Sequence, residues 1–279
     1  MHYSGKYFKN LIDLYMKNPS LYQKEDGIIY LLESCETDLE KEFILELLEK
    51  LVFLDNPKYY ILLNHIIEYI SELDLDYNKT QFVAMTMGDK ADSGQTILQS
   101  LKGKLLEKGI KGFIDVNRFD KCVQYYHKGY TNIIVVDELL GSGKTIIGRT
   151  KTFKERITLN EPYQLHFVFI AGVEHFVNLF KIDNPDTNVF CAYALKRGIS
   201  DSYKDIELTT KTSMMQNLEL KLAPKINEKE LVDYCFGYGK AEVLYTGQEC
   251  LLNTPNSVFP IFWWEKDTLY NDRKVILTR

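Results

Sequence analysis

Residues 132–145 read "NIIVVDELLGSGKT": an apolar run, two acids, then a glycine-rich turn that leads into "TIIGRTKTF". The turn invites a P-loop reading. That loop needs a glycine five residues before its Gly-Lys-Thr, so that successive backbone N–H groups can wrap a polyphosphate. Glu138 stands at that position, and a carboxylate there repels polyphosphate, so nucleotide hydrolysis is set aside. A different geometry fits each position. With "IIVV" (133–136) as a central strand, Asp137 and Glu138 lie at its C-terminal end, where open α/β sheets bind ligands. Leu140 leads into the turn Gly141, Ser142, Gly143, Lys144 and Thr145, at the N-terminus of the next helix. Free N–H groups, the helix dipole and the two hydroxyls there can hold one phosphate. Lys144 either touches that phosphate or faces solvent. The acids are left to face something neutral and hydroxylated, and a ribose 5-phosphate meets both demands.

Working outward, short β-rich runs alternate with helical stretches between residues 81 and 200. The runs are "FVAMTM" (82–87), "GFIDV" (112–116), "IIVV" (133–136), "HFVFIA" (166–171) and "VFCAYAL" (189–195). Continuous apolar runs mark strands buried on both faces, and their alternation with helices builds a parallel sheet. The fold class expected is α/β, with a doubly wound, mainly parallel five-stranded sheet. Residues 1–78 predict an α-helical subdomain: Thr37 and Glu40 have capping-box spacing before the stripe Phe43, Leu47, Leu48, Leu51 and Leu54, and Pro57 opens a second helix. Residues 201–230 read as polar and irregular, and residues 231–279 as an aromatic-rich extension. The expected segments are therefore 1–78, 79–200 and 201–279.

The chain has 279 residues and a formal net charge of −5, enough for a sizeable core and no general attraction for nucleic acid. Five scattered cysteines without C-x-x-C spacing predict free thiols in a reducing compartment. The N-terminus "MHYSGKYFKN" has no apolar signal-peptide core, and no later stretch approaches the apolar length of a membrane span, so a cytoplasmic location without membrane partners is expected. Asn253, Asn256, Phe259, Phe262, Trp263 and Trp264 could form a base-stacking flap, but large aromatics favour a core. His127, His166 and His175 have no ligand spacing.

The run Val135–Thr145 resembles the phosphoribosyl-pyrophosphate (PRPP) signature of type I phosphoribosyltransferases. The resemblance implies that Asp137 and Glu138 hold the ribose 2′- and 3′-hydroxyls, act in catalysis and meet Mg²⁺ directly or through water, while residues 140–145 hold the 5′-phosphate. Two positions depart from the pattern: Glu138 stands where Asp is usual, and Gly141 stands where purine-salvage members carry an Asp. Purine salvage is thereby disfavoured. A second strand–acidic loop–helix echo, "MGDKADSGQTIL" (87–98), offers Lys90, Ser93 and Gly94 for pyrophosphate, the role this loop has in that family. The alternative is an ordinary loop with Ser93 as helix N-cap.

A wider resemblance, carried by "FLDNPKYYILL", the signature, "FGYG" and "NTPNSVFPIFWW", is to the PRTase-CE group of prokaryotic conflict systems. It implies an anti-phage effector that uses Mg²⁺ and PRPP or another phosphoribosyl ligand. It also suggests a defence-operon partner, such as a retron reverse transcriptase with its RNA, and leaves oligomerisation open. Two function classes follow: a transferase moving phosphoribosyl to an unidentified acceptor, or a non-catalytic sensor of a phosphoribosyl metabolite or partner.

Overall fold

The computed structural model describes residues 7–88, 92–157, 162–250 and 252–279. In chain order the elements are α1 (Phe8–Lys17), α2 (Glu25–Glu33), α3 (Asp38–Lys50), β1 (Val52–Phe53), α4 (Asn56–Glu72), β2 (Thr80–Ala84), α5 (Ser93–Glu107), β3 (Ile114–Val116) and α6 (Cys122–Tyr126). They continue with β4 (Asn132–Leu140), α7 (Lys144–Arg156), β5 (Gln164–Val173), α8 (Glu174–Asp183), β6 (Asn188–Leu195), α9 (Asp205–Glu219), β7 (Lys225–Ile226), β8 (Lys229–Glu230) and β9 (Tyr245–Thr246). Packing divides the chain into two compact units, residues 56–195 and residues 1–55 with 196–279.

The first unit is the α/β fold expected from the apolar runs. Its five strands lie in the order β3-β2-β4-β5-β6, all parallel. One face packs Val83, Val135 and Phe167 against Phe153 of α7 and Phe180 of α8. The other side of the unit is supported by α4 and α5, where Ile66, Ile67, Ile70, Leu98 and Leu101 are buried. Burial on both sides explains why the strands read as unbroken apolar runs. On α4, Tyr69 stacks on Phe190 with centroids 4.3 Å apart, and its hydroxyl lies 3.2 Å from Nδ1 of His166. His166 is thus a packed histidine, and burial pulls its pKa down to about 4. The units do not coincide with the segments 1–78, 79–200 and 201–279. The helix at 56–72 belongs with the sheet, because its apolar stripe is buried against β5, β6 and α5.

In the second unit, Thr37 caps α3 by accepting from Glu40 N–H at 3.1 Å, while the Glu40 carboxylate reaches back to Glu36 N–H at 2.7 Å. The reciprocal capping pair is formed one residue further back than the ideal box. All five residues of the predicted stripe are buried. Strands β1 and β9 pair in parallel, Val52 with Tyr245 and Phe53 with Thr246, which ties the start of the chain to its tail. Residues 205–219, expected to be irregular, form α9; only Met215, Leu218 and Glu219 of that helix are buried, too few for a legible periodic stripe. The tail aromatics are core: Phe259, Phe262, Trp263 and Trp264 are at most 4% exposed. Both indole N–H groups are satisfied, Trp263 on Val258 O and Trp264 on Ala223 O, each at 3.0 Å. Arg197, in the loop after the last sheet strand, pairs locally with Asp201 at 2.7 Å.

All five cysteines are free. No helix among the described residues is long and apolar enough to cross a membrane.

Candidate functional site

The site is positioned by a mismatch in strand length. Pairing of β2 with β4 ends at Ala84↔Val136, followed by one further bond from Met85 N–H to Val136 O at 3.1 Å. On its other edge β4 stays paired with β5 as far as Leu140↔Gly172. The strand therefore runs four residues past the expected Val136, because β5 continues to supply backbone partners. Asp137 and Glu138 are strand residues beside the place where β2 has left the sheet. The chain also switches direction of strand addition there, with β3 on one side of β2 and β4 on the other, which is where doubly wound sheets place ligands.

Alternation along β4 separates the two acids. Asp137 and Leu139 are partly exposed, whereas Glu138 and Leu140 are buried, Glu138 to 3%. Asp137 Oδ1 accepts from Ser93 Oγ and from Glu138 N–H, each at 2.8 Å. Burial pushes its carboxyl up to about 6 despite those two donors; Asp92 adds to the rise and Arg149 opposes it. The two motifs found separately in the sequence thus meet through one hydrogen bond, between Ser93 and Asp137.

The helix start that touches Asp137, that of α5, and the one that follows β4, that of α7, differ. Gly143 holds the N-cap position of α7 at φ +76, a conformation that suits glycine, and no side chain caps the helix. Ser142 is partly exposed between buried Gly141 and Gly143, and Lys144 and Thr145 are exposed. The N-cap residue of α7 therefore supplies no side-chain acceptor to the helix start. The start of α5 is already capped: Asp92 accepts from Gly94 N–H at 3.0 Å and from the Thr86 hydroxyl. The N-cap is Asp92, and Ser93 is the first helical residue with its hydroxyl turned to Asp137. Gly94 packs closely, since a Cβ there would lie 3.1 Å from Met85 N. Lys90, the remaining residue expected to take pyrophosphate, lies outside the described residues.

Three neighbours were not singled out in the sequence. Arg149, on α7, is partly buried; its Nε donates to Met85 O at 3.3 Å and its guanidinium lies 5.7 Å from the Phe119 ring centroid. Burial lowers its pKa, while Asp137, Asp92 and Asp120 act to raise it. Arg118 and Asp120 form a bidentate pair with both contacts at 2.9 Å, which holds the Asp120 carboxyl below the usual range. The signal available was spacing: Arg149 follows Thr145 by four residues and so shares its helix face.

Among the described residues, no group of three or more His, Cys, Asp or Glu is placed to hold a metal. The arrangement offers a carboxylate that can accept from hydroxyls, a helix start without a side-chain cap that can receive an anion, and a cation, Arg149, on that same helix. No curated protein matches the chain. A family model for PRTase-CE matches residues 34–279, and the chain belongs to this phosphoribosyltransferase-like family.

Proposed function

We propose that the chain binds PRPP and transfers its 5-phosphoribosyl group to an acceptor. The observation that carries this reading is the placement of Asp137 at the sheet's switch point, on the strand that leads through residues 141–143 into the start of α7, which has no side-chain cap. Asp137 takes the ribose hydroxyls as an acceptor, with Glu138 completing the acidic pair from the strand's buried side. The amides and hydroxyls of Ser142–Thr145 take the 5′-phosphate. Ser93 orients Asp137 by donating to it.

Cleavage of the bond to pyrophosphate leaves positive charge on the ribosyl centre, so the protein's task is positioning and charge balance more than proton abstraction. The donor set fits Mg²⁺ in its usual mode: carboxylate oxygens are hard ligands, and the ion binds through one or two of them plus water and ligand oxygens, not in an all-protein cage. When bound, it would neutralise charge on the departing diphosphate. Asp137 would hold it, directly or through water, while Glu138, buried on the other side of the strand, would add negative charge without touching it.

The test is calorimetric titration of PRPP with Mg²⁺ into the full chain, alongside an assay of pyrophosphate release across an acceptor panel. Binding that is lost in Asp137→Ala while the fold is retained supports the reading. Absence of PRPP and ribose 5-phosphate binding in the wild type would sink it.

A further inference from the structure

Arg149 reaches the site from the second turn of α7, and two parts of the chain fix its orientation. Met85 O at the end of β2 accepts from its Nε, and the Phe119 ring lies along the guanidinium. Neither terminal amino group hydrogen-bonds or ion-pairs with any residue among those described. The surrounding carboxylates are engaged elsewhere: Asp120 with Arg118, Asp92 with Thr86 and Gly94, Asp137 with Ser93 and Glu138 N–H. A guanidinium that has lost part of its water needs other acceptors, and its planar fork matches two oxygens of one phosphoryl group.

We propose that the fork of Arg149 is a phosphoryl-binding point, distinct from the turn at the start of α7. The ligand of the site would then carry two phosphoryl groups on a hydroxylated frame: one on the α7 amides, the other on Arg149, with Asp137 taking the hydroxyls. The chemical class is a sugar phosphate with a second phosphoryl or diphosphoryl substituent. Its identification with the diphosphate end of PRPP rests on the function proposed above; the role of Arg149 does not. The nearby carboxylates favour a diphosphate that arrives with a divalent cation over a bare polyanion.

The experiment is calorimetry on the full chain with two probes used separately, magnesium pyrophosphate and ribose 5-phosphate, for wild type, Arg149→Met and Arg149→Lys. Arg149→Met should weaken pyrophosphate binding at least about tenfold, and Arg149→Lys should lie between, because it keeps the charge and loses the fork. Ribose 5-phosphate affinity should be unchanged in both. Equal pyrophosphate affinity in Arg149→Met and wild type overturns the proposal, as does an equal loss for both probes, which marks a structural role. Should Arg149→Met fail to fold, Arg149→Lys decides: undiminished pyrophosphate binding overturns the proposal and selective loss supports it. A wild type that binds pyrophosphate but not ribose 5-phosphate counts against the ribosyl reading and leaves Arg149 in place. The reverse pattern counts against Arg149 alone.

Discussion

Glu219 ends α9 in the interior of its unit, 2% exposed, and both carboxyl oxygens accept from Phe236 N–H, at 2.9 and 3.1 Å. Burial pushes its pKa from 4.5 to about 8; the Phe236 amide and the Cys235 thiol oppose that rise, and Glu242 adds to it. The folded protein therefore keeps this proton at pH values where the unfolded chain has released it. Its contribution to stability is complete below about 4.5, declines as pH rises, and is gone above about 8. A difference of about 3.5 units at ~1.4 kcal/mol each gives an upper bound of about 5 kcal/mol. Relaxation around a buried charge reduces this to about 2–3 kcal/mol.

Glu219→Gln removes the titration and keeps one acceptor for Phe236. Thermal unfolding followed by circular dichroism at pH 5 and pH 9 checks the consequence. The Tm of the variant relative to wild type should rise by about 5–10 °C between the two pH values. Cys235 does not confuse the comparison, because burial holds its thiol up at about 12. Parallel Tm curves for the two proteins would refute the view that Glu219 is protonated in the fold.

Gly237 and Gly109 have nearly the same φ, +76 and +78, but a Cβ at Gly237 would sit 1.9 Å from Ser257 O and one at Gly109 would meet nothing within 4 Å. Denaturant unfolding should show Gly109→Ala costing about 1–2 kcal/mol, the left-handed penalty alone, and Gly237→Ala more than about 4 kcal/mol; equal costs would contradict the packing. Thr37→Ala removes the α3 cap and should lower stability by about 1 kcal/mol in the same assay, with Thr37→Ser restoring it. Trp264→Ala, in the tail core, should cost about 3–5 kcal/mol and leave ribose 5-phosphate affinity unchanged in whatever fraction folds. A large loss of affinity in the folded fraction would place the tail in the ligand's environment.

Much of the α/β unit was legible from the sequence because its signals are local. An apolar run of four to seven residues between helical stretches is a buried strand wherever it pairs, so the five strands could be placed, though not their ends. Thr37, Pro57 and Gly143 mark helix starts through contacts within a few residues. The signature from Val135 to Thr145 is contiguous, which made the acids and the turn readable as one constellation. The family could be recognised for the same reason.

Tertiary structure decided the features that depend on partners distant in the chain. The length of β4 was set by β5 continuing beside it, not by its own acids. The helix at 56–72 belongs with the sheet because of which surface covers its isoleucines, and α9 forms with too few buried residues to leave a periodic trace. Ser93 and Asp137 are 44 positions apart and Met85 and Arg149 are 64 apart. No spacing rule reaches that far, since a hydrogen bond across such a separation exists only once the sheet has brought the strand ends together.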